Sequence, residues 1–79
     1  MKARVYVTLK QSVFDPQGQT IADALHSLGY RDVSDVRQGK FFELDVRATS
    51  ADQAKALAAE VADKVLANPV IESYRVEVE

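Results

Sequence analysis

The chain has 79 residues, a formal net charge of −2 at pH 7 and no cysteine. A hydrophobic content of 47% and a charged content of 28% predict one folded domain, residues 1–79, and exclude a disordered chain. The lack of cysteine excludes disulfides and thiolate metal sites, and the acidic balance disfavours general binding to nucleic acid or anionic lipid. Because so short a chain buries only about 60% of its unfolded surface, a partner subunit is expected to add burial.

The first strand is predicted at residues 2–9, where apolar and polar residues alternate. The core face would carry Ala3, Val5, Val7 and Leu9, and the opposite face Lys2, Arg4, Tyr6 and Thr8. The N-terminus has no apolar run long enough for a signal peptide, and no stretch approaches the roughly 20 apolar residues of a membrane span. We therefore expect a cytoplasmic protein.

The first helix is predicted to begin at Asp15-Pro16, an Asx cap followed by proline at the first helical position. Gly29 ends it as a left-handed cap. Between them, Ile21, Leu25 and Leu28 recur at helical spacing and form its apolar stripe.

Residues 31–48 are predicted to form a hairpin. Val33 and Val36 belong to a short, irregular first arm, and Gln38-Gly39 makes the turn, because glycine supplies the positive φ of tight hairpins. The core face of the second arm is Phe42, Leu44, Val46 and Ala48.

The second helix is predicted from Ser50, which forms a capping box with Gln53, to Asn68-Pro69. Its apolar stripe is rich in alanine, so it can lie close to a sheet. The last strand follows, with Tyr74, Val76 and Val78 alternating against Arg75, Glu77 and Glu79.

The element order is therefore β-α-β-β-α-β. This order predicts an α+β, ferredoxin-like fold, in which a four-stranded antiparallel sheet carries both helices on one face. The last strand would pair with the first at an outer position. The opposite sheet face would be open, and its candidates for an oligomer contact are Arg4, Tyr6, Phe41 and Glu43. Either this face is solvated and self-neutralised, or Tyr6 and Phe41 anchor a sheet-to-sheet interface.

The sequence contains no catalytic constellation. His26, the one histidine, has no partner set for a triad or a metal site. Glu43 and Asp45 share a strand face, but no cleft is implied around them. Gly18 near a helix start is a weak anion-binding signal, and an RNA-recognition pattern is absent. We expect no catalytic residue, no metal and no cofactor bound by this chain.

Three segments, "VYVTLKQSVFDPQGQTIADALHSLGY", "DVRQGKFFELDV" and "ANPVIESYRVEVE", resemble the PurS family, the small subunit of phosphoribosylformylglycinamidine synthase. The resemblance extends over essentially the whole chain. It implies a noncatalytic subunit that bridges a glutaminase subunit and an ATP-dependent synthetase subunit in purine biosynthesis and assists ammonia transfer between them. It also implies a homodimer or higher oligomer, and a complex that uses ATP, Mg and glutamine.

Six residues match the family pattern and are the candidates for a partner interface: Arg37, Gly39, Lys40, Asn68, Pro69 and Tyr74. Turn geometry and core packing could equally explain several of them. Arg37 and Lys40, charged and near a loop, are the strongest candidates for contact with a larger subunit. The alternative function is an ACT-like module that binds a small molecule, since that class shares the element order; a free-standing enzyme is disfavoured.

Overall fold

A computed structural model describes residues 1–79 and contains three strands and two α-helices. The elements are β1 (Lys2–Leu9), α1 (Pro16–Ser27), β2 (Gly39–Asp45), α2 (Ala51–Val61) and β3 (Glu72–Val78). A π-helical turn, Ala62–Leu66, continues α2. Neither helix combines the length and the apolar character that crossing a membrane requires. The predicted α+β class is confirmed, but the sheet has three strands rather than four.

The sheet is antiparallel with β1 in its centre, between β2 and β3. Val5 lies opposite Phe42 on one side and Val76 on the other. This register confirms the predicted pairing of the last strand with the first. Residues that lie opposite each other point to the same side of the sheet, so the alternation of apolar and polar residues in β1 is matched in β2 and β3. One face of the sheet is therefore apolar. On that face Val5 and Val7 are completely buried.

Helix α2 covers the apolar face over β1 and β3. Its cap is confirmed, because Ser50 Oγ accepts a hydrogen bond from the Gln53 amide at 3.2 Å; Gln53 Oε1 accepts from the Thr49 amide at 2.9 Å. The residues that face the sheet are small and fully buried: Ala54, Ala58 and Ala62. Methyl side chains let the helix lie close to the strands, as the alanine stripe predicts.

Helix α1 does not cover the sheet, so the prediction of two helices on one sheet face is wrong for this helix. Its predicted ends are confirmed: the Asp15 side chain caps the Gly18 amide, and Gly29 has φ 96°. The buried side of α1, at Gly18 and Ala22, packs instead on the chain that returns from it. A Cβ on Gly18 would lie closer than 3.0 Å to the Val36 carbonyl oxygen.

The returning chain, residues 33–38, runs back along α1. Val33 O lies 2.6 Å from His26 Nε2 near the end of the helix, and Val36 lies beside Gly18 in its first turn. These helix positions are about 12 Å apart along the axis, so three residues with a reach of about 10 Å must be nearly extended. We call α1 together with this return segment the α1 arm, residues 16–38.

The predicted hairpin turn at Gln38-Gly39 does not form. Gly39 is already the first residue of β2, its φ is not positive, and residues 33–38 pair with no strand of the sheet. Val33 and Val36 are three residues apart, so they do not share one face under the two-residue period of a strand. The chain therefore continues from the α1 arm into β2 without turning back.

The α1 arm makes the molecule long and flat. Its extents are 50 × 25 × 14 Å and its radius of gyration is 15.7 Å, whereas a compact chain of this length has about 12 Å. Only 11 of 79 residues are buried. The core is one cluster between α2 and the sheet, and the exposed arm has no comparable core of its own.

Candidate interaction site

Three loops meet at one end of the sheet, where β1 ends and β2 and β3 begin. We call this the loop end; it comprises residues 10–15, 37–40 and 67–72. The Lys10 amide donates to the Ile71 carbonyl at 2.8 Å, which joins the first loop to the third. The α1 arm leaves the sheet here. The loop end is thus both the joint of the arm and the place where the three family-like motifs converge.

Asp15 braces the joint from inside. It is only 6% exposed, and its two carboxylate oxygens accept from different segments: one from the Gly18 amide in the first turn of α1 at 2.9 Å, and one from the Gln38 amide before β2 at 2.7 Å. Hydrogen bonds from the Gln38 and Gly18 amides lower the pKa of Asp15 below its ordinary value of 3.8. The sequence predicts the cap at Gly18; the bond to Gln38 depends on a tertiary contact that the sequence does not reveal.

Arg37 braces the same joint from outside. Its guanidinium donates to the Lys10 carbonyl at 3.0 Å and to the Val13 carbonyl at 2.9 Å. The side chain predicted to contact another subunit is therefore engaged within its own chain. Its position explains why an arginine suits this site, since a planar donor fork can satisfy two carbonyls of one turn.

Gly39 and Lys40 lie beside this brace. A Cβ on Gly39 would lie 2.5 Å from the Val7 carbonyl oxygen, so glycine allows β2 to approach β1. Lys40 Nζ lies 3.7 Å from Glu72 Oε2, but the lysine side chain is 61% exposed. Lys40 is thus held loosely and can contact another protein.

The third loop is shaped by Asn68 and Pro69. The Asn68 side-chain oxygen accepts from the Val70 backbone amide at 3.1 Å, and the Asn68 backbone amide donates to Glu72 Oε1 at 2.7 Å. This folding leaves Val70 at the tip, 77% exposed. Tyr74 lies further along β3, opposite Val7, and so belongs to the helix side of the sheet near this end.

A shallow groove of about 210 Å³ opens between the loops. It is lined mainly by polar side chains: Asp15, Gln17, Gln38, Lys40 and Glu72, with Val7, Leu9 and Gly39 behind them. Its two carboxylates already accept hydrogen bonds from the chain itself. No group of three or more His, Asp or Glu residues is placed to hold a metal. The groove suits polar contact with another surface better than bond-breaking chemistry.

The open face of the sheet brings together the four candidates Arg4, Tyr6, Phe41 and Glu43. The Tyr6 and Phe41 rings are 5.1 Å apart, with Arg75 stacked 4.4 Å from the Tyr6 centroid on the other side. Glu43 pairs with Lys2 at 3.3 Å and Arg4 pairs with Glu79. The prediction that these four residues lie on one face of the sheet is confirmed. The charged residues of this face are largely paired within the chain.

Tyr6 is the most perturbed group on this face. Hydrogen bonding to Glu77, partial desolvation and the negative charge of Glu77 raise the pKa of Tyr6 above 10.0. The neutral phenol is therefore favoured, and it offers an aromatic surface framed by paired charges. Phe41 beside it is exposed.

The α1 arm is the feature that sequence reasoning missed. The stripe predicted to face the sheet, at Ile21, Leu25 and Leu28, faces outward; Leu25 is half-buried and Leu28 is 74% exposed. Phe14 and Tyr30 at the two ends of α1 are also exposed. The short, irregular valine spacing at 33 and 36 was the available signal.

Comparison with known proteins gives a consistent result. A family model described as "PurS: Phosphoribosylformylglycinamidine (FGAM) synthase" matches residues 2–79. The chain is 51% identical over 78 residues to the phosphoribosylformylglycinamidine synthase subunit PurS of Bacillus subtilis, covering 99% of this chain and 92% of that protein.

Two solved structures extend the similarity to the fold. Methanocaldococcus jannaschii PurS, described as one of the subunits of formylglycinamide ribonucleotide amidotransferase, aligns with a TM-score of 0.88 at 37% identity, over 99% of this chain and 94% of that one. A chain in the structure of PurLQS from Thermotoga maritima aligns with a TM-score of 0.87 at 32% identity, over 96% and 93%.

Proposed function

Since this chain belongs to the PurS family and is thus a subunit of phosphoribosylformylglycinamidine synthase in purine biosynthesis, we propose that it is the noncatalytic subunit that bridges the other two. One larger subunit would be the glutaminase and the other the ATP-dependent synthetase. The small subunit would hold them together and assist the transfer of ammonia between them, in the cytoplasm. ATP, Mg and glutamine would bind to the larger subunits.

The observation that carries this proposal is the concentration of family-like motifs at the loop end, where both groove carboxylates accept hydrogen bonds from the chain itself. The surface there offers an exposed cation at Lys40, an exposed apolar tip at Val70 and the rim of a polar groove. Such a combination suits a protein interface, in which an apolar contact is framed by polar groups. The similarity to a chain within the PurLQS structure supports the same role.

We assign two roles to the six candidate residues, namely direct contact with a larger subunit and structural support of the loop end. Lys40, with the tip that Asn68 and Pro69 shape, would contact a larger subunit. Arg37 and Gly39 would act indirectly, by holding the joint in shape, and Tyr74 would support the sheet beside it.

The chain is also proposed to form a homodimer or a higher oligomer. The open face would supply a contact between dimers, with Tyr6 and Phe41 at its centre. Arg4 and Glu43, which are both paired within the chain, would lie at its rim.

Assembly of the complex tests the bridging role. The two larger subunits are mixed with and without this chain and passed over a size-exclusion column. We expect one complex containing all three only when the chain is present. Lys40→Glu should weaken co-elution at least about 10-fold, since it puts a like charge beside Glu72 and reverses a contact charge. The matched control is Lys55→Glu on the exposed side of α2. Equal co-elution of both variants would contradict the assignment.

A further inference from the structure

We propose that the outer edge of β3 is a surface for self-association, at which two copies of this chain pair their β3 strands antiparallel about Val76. This inference goes beyond the bridging role, and shares with the proposed function only the expectation that copies of the chain associate. It concerns the edge of the sheet, whereas the contact assigned to Tyr6 and Phe41 concerns its open face.

The outer edge of β3 lacks the features that usually prevent strands from pairing. β3 is the last strand in the sheet order, so only its inner side is paired. Its seven residues include no proline and no lysine, and its register with β1 is continuous, without a bulge. Proline, lysine, bulges and very short strands are the means by which proteins protect such edges. The edge of β3 is therefore available to another strand.

The hydrogen bonds to β1 show which backbone groups of β3 are free. The Lys10 amide donates to the Ile71 carbonyl at 2.8 Å. At the other end, the Glu79 amide donates to the Lys2 carbonyl at 3.1 Å. Opposite residues in an antiparallel pair alternate between hydrogen-bonded and non-hydrogen-bonded pairs, so odd-numbered residues of β3 direct their backbone groups at β1 and even-numbered ones direct theirs outward. The free amides and carbonyls are those of Tyr74, Val76 and Val78.

These free groups favour one register between two copies. When Val76 lies opposite Val76 of the second copy, Tyr74 lies opposite Val78, and all three residues of each strand form hydrogen-bonded pairs. In one neighbouring register, Val78 would have to pair with Glu72, whose amide already donates to the Asn68 carbonyl. In the other, Tyr74 lies beyond the end of the second copy and has no partner. The register centred on Val76 therefore satisfies the most backbone groups.

The charged side chains of β3 select the same register. With Val76 at the centre, Arg75 lies opposite Glu77 of the second copy, and the two-fold symmetry repeats this pair. The neighbouring registers place Arg75 opposite Arg75 or Glu77 opposite Glu77, and like charges directly opposite are destabilising. Both side chains are accessible, at 66% and 43% exposed, and within each chain Arg75 Nη1 lies 3.0 Å from Glu77 Oε2. Pairing would arrange four charges of alternating sign.

The helix side of the paired sheet would also be continuous. Tyr74, which is exposed, would lie against Val78 of the second copy, and such pairs of an aromatic and a β-branched residue stabilise antiparallel strands. Helix α2 contacts β1 and β3, so the two α2 helices would be two strand spacings apart, about 10 Å. Packed helices lie about 8–10 Å apart. Two copies can therefore join without a collision or a gap between their helices.

A charge exchange tests the register. Arg75→Glu places like charges opposite each other twice, so the dissociation constant of the β3 contact should rise at least about 10-fold. The double variant Arg75→Glu with Glu77→Arg restores opposite charges, and its constant should return close to that of the parent. The control Lys64→Glu makes the same change in net charge at a lysine that is 69% exposed and paired with Glu60, and should leave association unchanged.

Sedimentation equilibrium over a range of concentrations measures these constants, and circular dichroism checks that each variant is folded. The parent, the control and the double variant should share an association step that Arg75→Glu lacks at the same concentration. Equal association of the parent and Arg75→Glu, or a double variant that associates no better than the single one, would overturn the proposal.

Disulfide formation tests the pairing at individual positions. The sequence has no cysteine, so Arg75→Cys and Glu77→Cys each introduce one thiol. When the two variants are mixed, the proposed register places their thiols opposite each other, with Cα atoms about 4.5 Å apart, and keeps the other ion pair. Within either variant alone the thiols are diagonal neighbours about 7–8 Å apart, which exceeds the usual span of a disulfide.

Mild oxidation of the mixture should give the mixed disulfide as the main product, detected by intact mass spectrometry. A homodisulfide of either variant as the main product would indicate a neighbouring register, and the absence of any disulfide would indicate that the strands do not pair; each result overturns the proposal. Because both experiments use the chain alone, their failure leaves the bridging role standing, whereas failure of the three-component assembly leaves the β3 contact standing.

Discussion

The change Gly18→Ala separates packing from helix propensity, because the two predict opposite signs. Alanine inside a helix is favoured over glycine by about 1 kcal/mol, so a free α1 would be stabilised. In this structure a Cβ at position 18 would overlap the carbonyl oxygen of Val36 and would lie 3.0 Å from the carbonyl carbon of Val36 and 2.9 Å from Asp15 Oδ2. The two Val36 atoms belong to the backbone and cannot swing aside as the end of a side chain could.

The expected net effect is destabilising. Overpacking of this kind costs about 1–3 kcal/mol, and weakening the Asp15 cap adds to that cost, so we expect a loss of about 1–3 kcal/mol after the propensity gain. For a chain of this length, 1 kcal/mol corresponds to about 6 °C in Tm. Thermal unfolding at fixed protein concentration should therefore show a Tm lower by about 6–18 °C. Ser27→Ala, on the exposed side of the same helix, is the control and should shift Tm by less than about 3 °C. A Gly18→Ala protein that is more stable than the parent would refute the packing of α1 on its return segment.

Three further predictions concern the joint and the open face. Arg37→Ala should lose about 1–2 kcal/mol of unfolding free energy in urea, because two carbonyls lose a charged donor, whereas Arg31→Ala, on the exposed turn after α1, should lose less than about 0.5. The lowered pKa of Asp15 stabilises the fold above pH 3.8, and this is lost as pH falls through the lower folded-state value; Asp15→Asn should flatten that acid limb in urea titrations, and an unchanged limb would contradict the brace. Glu77→Gln should move the raised Tyr6 pKa back toward 10.0, as an ultraviolet absorbance titration would detect; no shift would contradict the assigned cause.

Much of the fold follows from local patterns. Alternation in residues 2–9 predicts the central strand because its apolar face is buried from Ala3 to Val7. Asp15, Ser50 and Gly29 predict helix ends because a cap depends only on nearby backbone groups. The pairing of the last strand with the first follows from the element order, which leaves few arrangements for so short a chain.

The position of α1 could not be predicted in the same way. Its stripe indicates an apolar contact but does not indicate whose surface provides it. The turn at Gln38-Gly39 was predicted from residue type alone, yet Gly39 serves a close approach to Val7 rather than a positive φ. The interactions that prevent a hairpin turn here join residues far apart in the sequence. Asp15 accepts a hydrogen bond from the Gln38 amide, and Arg37 donates to the Lys10 carbonyl in the first loop.

For the candidate site too, the sequence predicted which residues matter but did not predict their contacts with residues distant in the chain. Sequence motifs identified Arg37, Gly39, Lys40, Asn68 and Pro69, and the structure brings all five to the loop end. It also shows that Arg37 and Gly39 are engaged in the joint, which their residue types alone could not reveal. A motif residue can therefore support an interface without touching the partner.

The most direct test of the bridging role is the rate of product formation by the reconstituted enzyme. The glutaminase and synthetase subunits are assayed with ATP, Mg and formylglycinamide ribonucleotide, first with glutamine and then with free ammonia, each with and without this chain. The account predicts that omission abolishes the glutamine-dependent rate and largely preserves the ammonia-dependent rate. A glutamine-dependent rate that is unaltered by omission would contradict it.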